Sequence, residues 1–284
     1  MGDDVVPVGG ALGSSRIDRL WAVIYRELLT VVRTRSVTAL SLAFVAVVLG
    51  ALIVGEGHTR GFAPAILDLM TPVELVVPLF AIALSYRAIL GDATRGELDL
   101  LRIRPLTAGE HVLGAFIGRA IAVSAVVLVT MLVVGILIAI TEPDTVRVFA
   151  THETADSPVL FGRFTVLTIL LGLVFVSVGL LISVLATSMR GAIVLLATIL
   201  LIVVGFELAV VEGLATGTIS DDRLDIVLGL GPMTAYRGLV LETAVSLDQG
   251  VSVRAASPWI SVGGLFSWIV GPLLLAIAIR QRRA

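Results

Sequence analysis

No cysteine occurs in the 284 residues of this chain, which excludes disulfides and thiolate metal sites and leaves the redox state of its surroundings unread. Lysine is missing too: all 20 positive side chains are arginine. The phosphate-binding loop GxxxxGK[ST] needs a lysine to reach the β- and γ-phosphates. This chain therefore carries no such loop, and any ATP-driven work must use a nucleotide bound by another polypeptide. Charge is scarce, at 15% of residues, and aromatics make up 6%, whereas 57% are hydrophobic and the mean hydropathy is +1.06. So little polar surface does not suit soluble domains of this total length. Either a GC-rich genome or a salt-adapted, acid-favouring proteome accounts for the arginine and carboxylate bias, which bears on solubility and not on fold.

What is present is a set of six apolar runs, at residues 37–54, 73–90, 120–140, 164–188, 192–211 and 260–279. A bilayer core of roughly 30 Å takes about 20 apolar helical residues, and backbone groups in hydrocarbon must bond internally. The expected fold class is an all-α integral membrane protein with six transmembrane helices. The second run is the least clean, with Glu74 near one end and Arg87 near the other. No short basic leader precedes the first run, which is expected to stay in the mature protein. Arginines set the orientation. Arg16, Arg19, Arg26, Arg33 and Arg35 precede the first run and only Arg60 follows it, while Arg87, Arg95, Arg102 and Arg104, then Arg190, then Arg280, Arg282 and Arg283 fall in alternate segments. The opposite segments hold Arg147, Arg163, Arg223, Arg237 and Arg254, the last three spread over a long fifth loop. The expected location is the plasma membrane, multi-pass, with both termini cytoplasmic. Topology accounts for the arginines, so nucleic acid is not an expected partner.

Residues 1–13 read as a flexible tail. Across 14–36, Ser14 and Ser15 can cap a helix in which Ile17, Leu20, Trp21, Ile24, Leu28, Val31 and Val32 recur at helical spacing, with Arg16, Arg19, Arg26, Glu27 and Arg33 on the other side. Such a helix is expected to lie in the inner headgroup boundary among membrane lipids, either as a plain anchor or as an elbow that moves with the first span. Residues 37–284 form the six-span domain. Its second loop, 86–111, reads as a short amphipathic helix ended by Pro105, followed by Thr107-Ala-Gly-Glu110, which has capping-box spacing. One reading is a solvated turn whose arginines set topology; the other is a rigid knob that transmits motion.

Several stretches in order along the chain carry a resemblance. They are Arg26-Glu27-Leu-Leu-Thr-Val-Val-Arg33-Thr-Arg35, the loop from Asp92 to Pro105, Gly114-Ala-Phe-Ile-Gly118-Arg119, Phe175-Val-Ser-Val-Gly179-Leu-Leu-Ile-Ser183, and Gly231-Pro232-Met-Thr-Ala-Tyr236-Arg237. Together they resemble the permeases of type-2 ATP-binding cassette (ABC) transporters, in particular the NosY-like branch associated with maturation of multicopper enzymes such as nitrous-oxide reductase. Glu97 stands where that family often has threonine, Ala115 where a lysine is common, and Gly231 where asparagine is frequent. The resemblance implies a permease that pairs with a second copy, as a homodimer or pseudo-dimer, and exports its cargo when separate ABC ATPase subunits bind and hydrolyse ATP. ATP and Mg would then sit on those partners, with no cofactor in this chain. It also implies that Asp92, Gly96, Glu97, Arg102, Arg104 and Pro105 form the ATPase-docking element.

Charges within spans invite a functional reading because they are costly in hydrocarbon. Glu74 and Glu207 are read near the outer ends of their spans, either as carboxylates reaching water or as a pair guarding the outer mouth of a pathway. Arg119 lies near the inner end of the third run, where it can snorkel to headgroups. Gly172, Gly179, Gly263, Gly264 and Gly271 suit close helix packing. The loop 213–259 is expected to cap the outer end of the pathway. Met70, Met131, Met189, Met233, His58, His111 and His152 form no paired soft or imidazole motif, so no metal site is expected and copper carriage by this chain is not supported. The histidines are read as loop residues and no GxSxG turn occurs, which argues against an intramembrane hydrolase. A secondary transporter and a non-transporting assembly or scaffold subunit remain the alternatives.

Overall fold

Long apolar runs without water to satisfy their backbones become helices, and the computed structural model shows that outcome. It describes residues 16–90, 107–141, 157–218, 221–245 and 257–283. Among these residues there are nine α-helices and no strand. They are α1 (Arg16–Arg33), α2 (Arg35–Gly55), α3 (Phe62–Ser85), α4 (Ala108–Thr141), α5 (Pro158–Leu185), α6 (Met189–Ala215), α7 (Asp221–Leu230), α8 (Pro232–Thr243) and α9 (Pro258–Arg283). Six of them, α2, α3, α4, α5, α6 and α9, are long and apolar enough to cross a membrane.

Each spanning helix overlaps one apolar run, with one large difference. The second span runs Phe62–Leu90 and takes in Asp68 and three prolines ahead of or within the expected run. Pro64 lies in the first turn, where no N–H is needed, while Pro72 and Pro78 lie inside the helix. Prolines inside spans are tolerated because neighbouring groups take up the freed carbonyls. Pro272 in α9 illustrates this: it has no N–H for the Trp268 carbonyl, and Ser177 Oγ on α5 donates to that oxygen at 2.9 Å.

Helix α5 is the axis of the bundle and the most enclosed span. Phe164, Leu171, Val174, Phe175, Leu180 and Ile182 are all buried on it. Two glycines set its separation from its neighbours. A Cβ on Gly172 would lie 3.0 Å from Val123 of α4, and one on Gly179 would lie 2.8 Å from Ser85 of α3. On the far side of α3, Phe44 of α2 stacks on Phe80 with centroids 4.8 Å apart. Helices α2 and α6 are the least enclosed spans.

Helix α1 packs along one side against α4. Its buried face is Val23, Ile24 and Glu27, turned onto the first turns of α4, whereas Trp21 and Tyr25 are exposed. Gly114 and Gly118, one turn apart on α4, admit Val23 and Glu27: a Cβ at either position would come within 2.5 or 2.6 Å of those side chains. Two neighbouring glycines thus seat one side of α1 on protein. The boundary proposed at Ser14 and Ser15 lies outside the described residues. The capping box does form, with the Thr107 N–H donating to Glu110 Oε2 at 2.8 Å and the Glu110 N–H to Thr107 Oγ1 at 3.2 Å. Because α4 starts there, His111 is a buried helical residue and not the loop residue expected from sequence.

Candidate functional site

The short helices α7 and α8 lie in the fifth loop and reach far down the bundle. Gly231 occupies the N-cap of α8 and Pro232 its first position, so no side chain of the cap residue serves the free N–H groups. Glu207 of α6 takes that role, its Oε1 accepting from the Thr234 N–H at 3.1 Å. The positive end of the α8 dipole favours a carboxylate there. Thr234 Oγ1 in turn donates to the Leu228 carbonyl at 2.7 Å, which joins α7 to α8.

Two residues further on, Tyr236 is fully buried and its hydroxyl lies 3.0 Å from Thr168 Oγ1 of α5. Burial pushes the phenol above its usual range, so it stays neutral. Arg237 forms a two-pronged contact with Glu74 of α3: Nε donates to Oε1 at 3.0 Å, and Nη2 bonds Oε2. The Glu74 carboxylate holds the guanidinium above its ordinary range. The Glu74 side chain is 8% exposed and that of Arg237 51%. Pro78 has no N–H to give to the Glu74 carbonyl, four residues back.

Depth gives this cluster its meaning. At 1.5 Å per residue, Glu74 is ~18 Å from the Phe62 end of its span and Thr168 is ~15 Å from the Pro158 end of α5. Glu207 is ~12 Å from the Ala215 end of α6. Glu74 therefore stands near the middle of its span and not at the end, because the helix starts at Phe62. Both carboxylates singled out from sequence converge on α8. The partners Arg237, Thr234, Tyr236 and Thr168 were not singled out as site residues. The signal for them is the helix start at Gly231 and Pro232, which lacks a capping side chain in an apolar setting.

Near the opposite end of the bundle, Glu27 lies between two guanidinium groups. Arg119 Nη2 is 2.8 Å from Oε2 and Arg26 Nη2 is 3.0 Å from Oε1. The side chains of Glu27 and Arg119 are 5% and 9% exposed. Arg119 therefore does not snorkel to headgroups: the narrow gap at Gly118 brings a carboxylate to it first. At the same end, Arg283 Nη1 of α9 donates to the Val184 carbonyl of α5 at 2.6 Å. The sequence-predicted docking residues Asp92, Gly96, Glu97, Arg102, Arg104 and Pro105 lie outside the described residues. Among the described residues no group of three or more histidine, aspartate or glutamate side chains is arranged to hold a metal ion.

Comparison with known proteins agrees with this architecture. The model of the ABC-2 family transporter protein matches residues 21–283. A probable ABC transporter permease protein NosY of Stutzerimonas stutzeri is 29% identical over 287 residues, covering 94% of this chain and 99% of the relative. Its counterpart in Pseudomonas aeruginosa is 26% identical over 280 residues, covering 93% and 98%. Similarity of this length, on a six-span helical bundle, identifies the chain as a member of the ABC-2 transporter family: a multi-pass, NosY-like permease subunit whose family works with ATPase partners.

Proposed function

We propose that this chain is the membrane half of an exporter, paired with a second copy in the plasma membrane and driven by separate ABC ATPase subunits that dock on the loop 86–111. The observation that carries the reading is near-full-length similarity to ABC permeases in a chain with no lysine, and hence no phosphate-binding loop of its own. Asp92, Gly96, Glu97, Arg102, Arg104 and Pro105 present the docking surface, and ATP and Mg are held by the partners. Both termini and the docking loop face the cytoplasm, following the excess of arginine in those segments. The α7–α8 unit, with Glu74 and Glu207 behind it, caps the outer half of the pathway.

Affinity purification from mild detergent followed by mass spectrometry tests the first part. A stoichiometric chain bearing a phosphate-binding loop and an ABC signature is expected. Its reproducible absence from an intact complex moves the reading to a secondary transporter or a scaffold. The docking loop is tested by Glu97→Arg combined with Arg102→Glu, which is expected to abolish permease-dependent stimulation of ATP hydrolysis while membrane insertion is unchanged. Stimulation at the unaltered level in that double variant rules out the assigned surface.

A further inference from the structure

Leu90 and Thr107, the described residues nearest the docking segment on either side, belong to different parts of the bundle. On the far side, α4 begins with its own capping box and is braced by α1 through Gly114, Gly118 and the Glu27–Arg119 pair. On the near side, α3 gives way to a turn at Tyr86 and Arg87, and a new helical turn starts at Ala88. The first N–H groups of a helical turn have no partner within it. Here a single hydroxyl on another helix supplies one: Ser183 Oγ of α5 accepts from both the Ile89 N–H and the Leu90 N–H, each at 2.9 Å. A hydroxyl oxygen has two lone pairs, so both bonds are satisfied at once. Ser183 is 2% exposed, and the side chains of Ile89 and Leu90 are 3% and 2% exposed. One turn earlier on α5, Gly179 lets Ser85 approach so closely that the two helices nearly touch.

We infer that Ser183 is a positioning residue that ties the chain leading into the docking segment to α5, so that displacement of that segment is delivered to α5 and α6 and through them to α8. This rests on the reading of 86–111 as the ATPase-docking loop. Val184, next to Ser183, is bonded by Arg283 of α9. Helix α5 ends at Leu185, and Ser188 caps the start of α6 by accepting from the Gly191 N–H at 3.1 Å. Helix α6 carries Glu207 to the N-terminus of α8, and α5 carries Thr168 to Tyr236. Helix α3, from which the segment leaves directly, also meets α8 through Glu74 and Arg237, so the route through Ser183 runs beside that one.

The absence of native cysteine allows spin labels at Thr216→Cys and Glu242→Cys, both exposed, to report the separation of α6 and α8 without background. The complex with the ATPase subunits is measured with and without ATP and vanadate. In the Ser183→Ala variant the complex is expected to assemble at its normal yield, while the nucleotide-dependent shift in the α6–α8 equilibrium weakens by about two- to thirtyfold. Ser183→Thr keeps the acceptor oxygen and is expected to restore the shift. An unaltered shift in Ser183→Ala overturns the inference, as does a loss of assembly, which would make Ser183 part of the docking surface itself. A Thr variant no better than Ala also overturns it. The docking reading fails separately, by an unaltered shift and unaltered assembly in the Glu97→Arg, Arg102→Glu variant.

Discussion

At the residue scale the enclosed charges Glu27, Arg119 and Glu74 each stand in an ion pair. A buried carboxylate stripped of its guanidinium is far costlier than an apolar pair of the same volume, because the remaining charge keeps its desolvation penalty and loses its partner. Glu27 and Arg119 meet the conditions for this, both being enclosed and 2.8 Å apart. Arg119→Met leaves Glu27 only the part-exposed Arg26 as partner and is expected to destabilise the folded protein by up to roughly 3–5 kcal/mol, and Glu27→Leu with Arg119→Met by much less. Thermal unfolding in one detergent, run as a double-mutant cycle, reads the difference, and a double variant as unstable as the two single losses added would contradict it. Glu27 was legible in the sequence only as part of a polar stripe. Helical periodicity gives the angle of a side chain about its axis, and it cannot reveal that two glycines on a distant helix open a slot at that angle.

At the element scale, contacts between helices are set by where side chains are absent. Helix α9 crosses α7 at Gly264, where a Cβ would fall 1.9 Å from the Gly229 carbonyl oxygen, while a Cβ on the adjacent Gly263 would meet nothing within 4 Å. Trp268 Nε1 donates to the Leu230 carbonyl at 2.7 Å close by. Gly264→Ala is therefore expected to push α7 off α9. Amides of α7 and α8 should then lose about tenfold or more of their protection from hydrogen exchange, the effect of an overpacking penalty on the order of 1–3 kcal/mol. Gly263→Ala should leave that protection unchanged, and equal effects of the two substitutions would refute the crossing. Both glycines are equivalent small residues in the sequence; only the crossing point distinguishes them.

At the scale of the whole molecule the bundle gathers the ends of α5 and α9 at one pole, as the Arg283–Val184 bond shows, with the Leu90 end of the second span joined to them through Ser183. That pole is the arginine-rich one. A fluorescent protein that folds only in the cytoplasm, fused after Ala284, is expected to fluoresce, and the same reporter placed after Thr216 is expected to stay dark. The reverse pattern would invert the proposed topology, and with it the assignment of the docking loop to the ATPase side. The mid-span cluster of Glu74, Arg237 and Glu207 belongs to this scale as well, since its members come from three helices and its depth depends on all three.

The amino-acid sequence by itself determined that the protein is helical, crosses the membrane six times and carries no phosphate-binding loop, because length, apolarity and the absence of lysine are one-dimensional properties. It also placed the capping box at Thr107 and Glu110, a local hydrogen-bond pattern three residues wide. Only the tertiary structure decided that the second span begins at Phe62, since prolines and an aspartate read as breaks until neighbouring helices surround them. It alone brought Arg237 to Glu74 and Ser183 to Leu90, partners separated by 163 and 93 positions in the chain. Such pairings are fixed by which helix surfaces approach closely enough to exclude other partners, and that is a property of the folded bundle.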